Sequence, residues 1–509
     1  MAESKRLKDQ GSSAMSRSHF IGATAAAAAA FTIVPRHVLG GPGYQAPSDM
    51  VNVAGIGVGA QGGGDIQRTC DPDEPIARPQ RSQTGQPLTP EQIAEQEAQR
   101  AEWMAQFTAE RGQDQGPPPW AQEREPRKLA NIYALCDVDS EYAGHIFKGY
   151  PKAKTYKDFR RMLDKEKEID AVVIATPDHS HAPIAAYAMK MGKHVYLEKP
   201  MCKTIYEARE LTRIAKENNV VTQMGNQGHA SEEARLINEW IQSGAIGPVR
   251  EVHCWTNRPI WPQGDLPRPE GVRVSRTLDW DLWVGPAPVK PYHPDLCHFN
   301  WRGLQDYGTG ALGDMGAHIY DHPFWALKLD RPIKIHASST PYSDEYWPQA
   351  EIITYEFAAR GDMPPVKLTW FDGGLTAPRP AELEQGRRLP DSGVFYYGDK
   401  GVLMHSDYGG SPRIIPETAM QAFKRPEPWI PRTGDIHEDW INAIKNGTKS
   451  TTDFSYSSRL VETMMLGNIA VLTGNRTNAL EYNAEKMEFT NLPEANDLFH
   501  YEYRKGWTL

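Results

Sequence analysis

The chain is poor in several things that large functional classes need. Its five cysteines (Cys70, Cys136, Cys202, Cys254, Cys297) are scattered through 509 residues with no C-x-x-C spacing. Disulfides are therefore not required, and neither a zinc–thiolate site nor any other metal is expected. Positive charge is also short: 56 Lys and Arg face 65 Asp and Glu, a net charge of −9. With no basic stripe to meet phosphates, a nucleic-acid partner is not expected. Apolar runs are short as well. Ile21–Val34 (IGATAAAAAAFTIV) falls below the ~20 residues of a transmembrane helix and is only weakly hydrophobic, so no stable membrane span is expected. Aromatic residues, in contrast, are plentiful, with 14 Trp and 21 Tyr. Flat rings suit sugars, although most aromatics in any protein are core.

Residues 1–50 read as an export-signal-like segment and linker. Lys5, Arg6, Lys8 and Arg17 precede the Ile21–Val34 run, and Ser16–Gly22 (SRSHFIG) looks like a twin-arginine signal with Ser18 in place of the second arginine. The reading implies a periplasmic or otherwise exported protein, or a cytoplasmic one if this degenerate signal does not work. An Ala-rich helix is the alternative.

Residues 51–225 read as a dinucleotide-binding domain. Val51–Ile56 (VNVAGI) leads into Gly57-Val-Gly59-Ala60-Gln61-Gly62, a strand running into G-x-G-x-x-G. Gly57 allows the tight turn, Gly59 admits a pyrophosphate and Gly62 lets helix and strand pack closely. The acidic residue expected some 20 positions later is missing. Residues 71–128, rich in Gln, Glu and Pro, intervene and read as an insertion with one helix, Pro90–Glu110, N-capped by Thr89. Past it, strand Asn131–Cys136 ends at Asp137. That carboxylate can accept ribose hydroxyls and repel a 2′-phosphate, favouring NAD over NADP; Asp139 is the less favoured choice.

The βα alternation continues with apolar strands Ile169–Ala175, His194–Leu197 and Val220–Met224. They deliver Thr176-Pro177-Asp-His-Ser-His181, then Glu198-Lys199-Pro200, then Gly225-Asn226-Gln-Gly-His229. Ligands of such sheets bind outside the carboxyl ends of the strands, which gathers His181, Glu198, Lys199, Asn226 and His229. A lysine at the end of an apolar strand is costly to bury unless paired or functional. Desolvation would lower its pKa and suit it to proton exchange, though a salt-bridged lysine explains it equally well. Downstream, Gly308–Asp321 (GTGALGDMGAHIYD) would put Asp314 and His318 on one helical face; a capped helix with a satisfied polar pair is the plainer reading.

Strand–GVGAQG, ATPDHSH, LEKP and GALGDMGAH, in that order, resemble the Gfo/Idh/MocA oxidoreductases, and the resemblance covers nearly all of Val51–Gly474. It implies an α/β chain: an N-terminal Rossmann domain, then an α+β domain with an open, mostly antiparallel sheet. It further implies Lys199, Asp314 and His318 as catalytic residues and a cis bond at Lys199–Pro200. The chain is also similar to a secreted branch of that family with export signals and a long insert.

The second domain is expected over 226–474, with 475–509 as a polar extension wrapping the surface. Val249–Thr256 alternates and starts the second sheet, its functional reading being His253 or Trp255 pointing at substrate, and Asn300, Trp301 and Arg302 stand just ahead of the Asp314 motif. Trp301 can stack on a sugar face and Arg302 can hold a hydroxyl or carboxylate. Cofactor contacts are expected from Gly57, Gly59, Ala60, Gln61, Gly62, Asp137, Thr176, Pro177, His181, Glu198, Lys199 and Asn226. Substrate contacts are expected from His229, Asn300, Trp301, Arg302, Asp314 and His318. His318 is expected to be the main acid/base because an imidazole titrates nearest neutral pH. The leading function is an NAD-dependent oxidoreductase acting on a hydroxyl of a sugar, cyclitol or glycoside. The first alternative is a glycosidase working by transient oxidation and elimination with tightly bound NAD; the second is a non-catalytic sugar- or nucleotide-binding protein. A homo-oligomer, dimer or tetramer, is expected from the family.

Overall fold

The computed structural model describes residues 50–76, 88–111, 126–474 and 476–509. The export-signal-like segment, residues 77–87 and 112–125 of the insertion, and Asn475 lie outside the described residues.

Six parallel strands form the first sheet: β1 (Asn52–Ile56), β2 (Asn131–Cys136), β3 (Lys154–Tyr156), β4 (Ala171–Ile174), β5 (His194–Leu197) and β6 (Thr222–Met224). Their order is β3-β2-β1-β4-β5-β6. Every residue of β4 is buried, as its apolar run requires of a strand covered on both faces. The chain switches direction across the sheet at β1, so the crevice lies beyond Ile56, between β2 and β4. Helix α1 (Gln61–Thr69) opens there. The insertion leaves and returns at one point: Cys70 bridges Lys128, and the Leu129 amide donates to the Thr69 carbonyl at 2.9 Å. It therefore leaves the β1–β2 pairing intact. Its helix α2 (Pro90–Arg111) carries the expected cap, with Gln92 N–H on Thr89 Oγ1 and Thr89 N–H on Gln92 Oε1.

The second sheet has nine strands: β7 (Val249–Trp255), β8 (Lys334–Ser339), β9 (Glu351–Phe357), β10 (Val366–Phe371), β11 (Gly393–Gly398), β12 (Gly401–Ser406), β13 (Arg413–Ile415), β14 (Leu480–Asn483) and β15 (Glu488–Phe489). The order is β13-β12-β11-β7-β10-β9-β8-β14-β15, antiparallel except for β7 beside β10.

Helix α3 (Asp178–Lys190) begins within the Thr176–His181 motif, with Pro183 inside it. Proline removes the amide that would meet the His179 carbonyl, and Tyr501 Oη donates to that carbonyl instead at 3.4 Å. The domain expected over 51–225 is also joined by a later segment. Helix α6 (Gly310–Ile319) belongs to the second domain; we number α4 (Ile205–Glu217) and α5 (Glu232–Gln242) before it, and α7 (Ile436–Asn446) and α8 (Phe454–Thr473) after it. Ile436, Trp440 and Ile441 of α7 share one apolar core with Val53, Ile132 and Val173 of the first sheet. Finally, residues 476–509 do not simply coat the surface, since β14 and β15 extend the second sheet.

Glu462 ties α8 to α4. Fully buried, it accepts from Arg209 Nη2 at 2.7 Å and from Tyr482 Oη at 2.7 Å, and it forms an ion pair with Arg331, whose Nε lies 2.9 Å away. Removing its carboxylate strands two cations whose attraction offsets their desolvation. Glu462→Ala is therefore expected to lose about 3–5 kcal/mol of stability, measured by urea unfolding; a loss below about 1 kcal/mol would show that water replaces the carboxylate freely.

Candidate functional site

The glycine-rich turn is built as a dinucleotide cradle. Gly57 has φ +80°, and a Cβ there would sit 2.8 Å from the Ala175 carbonyl oxygen. A Cβ on Gly62 would lie 2.3 Å from the Gly57 carbonyl oxygen, so only glycine lets α1 start this close to the turn. Gly59 makes room for something not foreseen: the Tyr142 ring lies where its Cβ would be, and that ring stacks on His298 at 3.9 Å. His298 in turn pairs with Asp139 at 3.0 Å. Asp139 thus braces a loop of the second domain over the turn.

A cavity of about 590 Å³ runs from Asp137 past Gly57, Gly59, Ala60 and Gln61 to Thr176, Pro177, Glu198 and Lys199. Asp137 lines it while its two oxygens accept the Gly59 and Asp139 amides, both at 2.9 Å. Burial raises its pKa to about 6, against the opposing pull of those amides and His298. A shaped glycine turn, a helix N-terminus and a carboxylate at the end of the second strand fit an NAD cofactor.

At the other end, Lys199 Nζ donates to Asp314 Oδ1 at 3.0 Å and to the Asp314 carbonyl at 3.3 Å. Arg302 Nε reaches the same carboxylate oxygen at 3.2 Å. Burial alone would depress the lysine pKa, but Asp314 and Glu198 outweigh it and the net shift is upward. Lys199 is thus a held ammonium and not the easily deprotonated amine that desolvation predicts. Asp314 shows the complement: burial opposes its ionisation, yet Lys199 and Arg302 hold its carboxyl well below the usual range. Asp314 does not line the cavity; it stands behind Lys199 and aims it.

His318, one helical turn past Asp314 on α6, does line the cavity. Its Nδ1 is buried with no hydrogen-bond partner, and Tyr408 packs on the ring at 4.4 Å. Burial and then the Lys199 charge lower its pKa to about 3. The imidazole is therefore neutral at physiological pH, and titration near neutrality cannot be the basis of its role.

Trp301 and Arg302 line the cavity as expected, and Arg302 stacks on Trp301 at 4.4 Å. Of the other expected residues, His229, Asn226 and Asn300 do not, and His181 does so while bonded elsewhere. His181 touches the cavity, but its ring atoms lie 2.7 Å from both the Pro200 and Thr176 carbonyls, clamping the Lys199–Pro200 turn, which is cis. His229 is absent from the lining. It pairs with Asp321 at 2.9 Å and stacks on Trp325 at 4.2 Å, while Tyr456 Oη donates to the same Asp321. Asn226 and Asn300 are also outside it. His253 bonds Glu251, and Trp255 lies in an apolar cluster beneath residues 377–389.

Among the lining residues that sequence reasoning missed are Asp178, Tyr408 and Trp507. Asp178 accepts from Thr309 Oγ1 at 2.6 Å, and burial raises its pKa to about 7. Its signal was present in ATPDHSH. Tyr408 hangs over His318 from a left-handed backbone, φ 53°, rare for a residue with a side chain. A Cβ on Gly228 would meet the Tyr408 carbonyl oxygen at 2.9 Å, so the loop is seated by close packing. The third, Trp507, had no signal beyond being aromatic.

Comparison with known proteins agrees with this architecture. Residues 113–226 match the family model described as the Gfo/Idh/MocA oxidoreductase family, NAD-binding Rossmann fold, and residues 254–362 match its C-terminal alpha/beta domain. These two segments of the chain are thus similar to the two domains of that family, and they occur in the same order.

Among curated relatives, levoglucosan dehydrogenase of Pseudarthrobacter phenanthrenivorans is 26% identical over 37% of this chain and 40% of its own length. Inositol 2-dehydrogenase of Salmonella typhimurium is 27% identical over 25% of this chain and 40% of its own. The chain thus matches less than half the length of these relatives. Among solved structures, an NAD-binding protein from Listeria innocua aligns over 85% of this chain and 97% of its own, at 15% identity and a TM-score of 0.51. GenD2 from gentamicin A biosynthesis, in complex with NAD, aligns over 89% and 100%, at 17% identity and a TM-score of 0.51. At such identities the likeness is one of fold.

The neutral state of His318 is open to direct test. With histidines labelled for NMR, one imidazole lost in His318→Asn is expected to keep its neutral chemical shift from pH 8 down to pH 5. A midpoint near 6.5 for that signal would mean the ring is solvated and not buried against Lys199.

Proposed function

We propose that the protein is an NAD-dependent oxidoreductase acting on a secondary hydroxyl of a sugar, cyclitol or glycoside. The observation that carries this reading is the convergence of Lys199, His318 and Arg302 on one end of a cavity whose other end is the glycine turn and Asp137. Nicotinamide, when bound, supplies the hydride acceptor. The ammonium of Lys199, aimed by Asp314, donates to the substrate oxygen and stabilises the charge that develops as its proton leaves. Neutral His318 has a free lone pair and takes that proton, while Asp314 and Asp321 favour the imidazolium it becomes. Trp301, Arg302 and Tyr408 hold the ring that bears the hydroxyl. Sugar and inositol dehydrogenases among the relatives support the substrate class.

Lys199→Ala and His318→Ala are each expected to lower turnover at least about 10²-fold with NAD binding retained. The assay is NADH formation, or product formation without NADH, across a panel of sugars, cyclitols and glycosides. Wild-type rates in either variant would remove that residue from the chemistry.

Cofactor choice is expected to depend on pH in a fixed direction. Asp137 repels a 2′-phosphate only when ionised, which its pKa of about 6 places above that pH. Calorimetry should find the preference for NAD over NADP largest above pH 7 and shrinking below pH 6. Asp137→Asn should show the weaker preference at every pH; tighter NADP binding by the wild type at pH 8 would assign the ribose contact elsewhere.

A further inference from the structure

Trp507 lines the same cavity as Asp137, though it lies 370 residues further along the chain and outside both matched domains. Its position follows from the first sheet. Phe159 and Asp158, which line the cavity beside it, follow β3, and β3 pairs with the end of β2 through the Asp137 amide on the Tyr156 carbonyl at 3.1 Å. The Trp507 ring lies 6.0 Å from Phe159. Lys199 is at the end of β5, four strand spacings from β3 in the sheet order, or about 19 Å away. Trp507 therefore stands at the Asp137 end of the cavity. Where Asp137 meets the adenosine ribose, Trp507 and Phe159 face the adenine.

The indole is fixed from several sides. The Arg160 guanidinium sits 4.9 Å from the ring, itself held by two 3.0 Å contacts to Asp158. Arg504 Nε donates to the Gly285 carbonyl at 3.0 Å, its Nη2 to the Asp281 carbonyl at 2.8 Å, and its amide to the Pro286 carbonyl at 2.9 Å. The Trp507 amide caps the Arg504 carbonyl at 3.1 Å, and Lys190 Nζ donates to the Leu509 carbonyl at 2.7 Å. Residues 281–286 include Leu282 and Trp283, which also line the cavity. One segment thus supplies an aromatic wall and pins a second wall in place.

We propose that residues 504–509 are part of the dinucleotide site, with Trp507 an apolar wall for the adenine, and that they make NAD a retained group instead of a freely exchanging co-substrate. The proposal rests on the NAD reading above. Covering the adenine slows release because departure must first move an anchored segment. A retained cofactor suits a cycle in which the same nicotinamide is reduced and reoxidised within one turnover.

The test compares wild type, Trp507→Ala and Trp507→Phe by calorimetry with NAD, ADP-ribose and nicotinamide mononucleotide, and by exchange of bound NAD against deuterated NAD, read by mass spectrometry. Trp507→Ala should weaken NAD and ADP-ribose about tenfold and quicken exchange by a similar factor. Nicotinamide mononucleotide binding should stay within about twofold, and Trp507→Phe should recover most of the loss. If Trp507→Ala fails to fold, Arg504→Met, which frees the segment but keeps the ring, decides by the same readings. Wild-type NAD affinity and exchange in the variant would overturn the role of Trp507 alone, as would equal weakening of all three ligands. A wild-type protein that binds neither NAD nor ADP-ribose would overturn the NAD reading itself.

Discussion

The ion pair between Lys199 and Asp314 is the constraint on which the site depends. It joins the end of β5, in the first sheet, to α6, in the second domain, at 3.0 Å and largely out of water. Each charge is costly at that depth without the other, although Arg302 beside Asp314 and Glu198 beside Lys199 offset part of that cost. The pair therefore fixes how the two domains meet where the cavity ends. Arg302 adds a second cation to the same carboxylate oxygen, while burial and then the Lys199 charge keep His318 neutral. Three of the groups nearest the chemistry thus take their protonation states from one another.

Around that pair, histidines that look catalytic in the sequence serve as structure. His181 clamps the Thr176 and Pro200 carbonyls, His179 lies against the Tyr307 and Trp283 carbonyls, and His229 is locked to Asp321. Each is buried and engaged by neighbouring carbonyls or a carboxylate. Burial keeps His179 and His229 out of the cavity, whereas His181 lines it beside Lys199, His318 and Tyr408 while holding the turn next to them.

The site also draws on parts of the chain that no local motif connects. Helix α7 completes the core of the first domain, and His437 at its start reaches the buried Asp65 of α1 at 3.2 Å. The Tyr142–His298 stack and Trp507 bring second-domain and C-terminal residues over the cofactor cradle. A two-domain description in sequence order is thus topologically right and physically incomplete.

The sequence by itself determined the elements whose physics is local. The strand–glycine–helix turn, the apolar parallel strands and the Thr89-capped helix of the insertion follow from short-range sterics and periodicity, and all are present. It also determined which of Lys199, Asp137, Trp301 and Arg302 reach the cavity, because strand ends and short motifs fix where such side chains emerge. Only the tertiary structure decided the charge states and the rest of the lining. The pKa values of Lys199, Asp314 and His318 depend on distances between residues more than a hundred positions apart, and no spacing rule encodes those distances. Asn226, His229 and Asn300 fell outside the cavity and Tyr408 and Trp507 fell inside it for the same reason: exposure at a cleft is settled by how separate segments pack, after every local preference has been met.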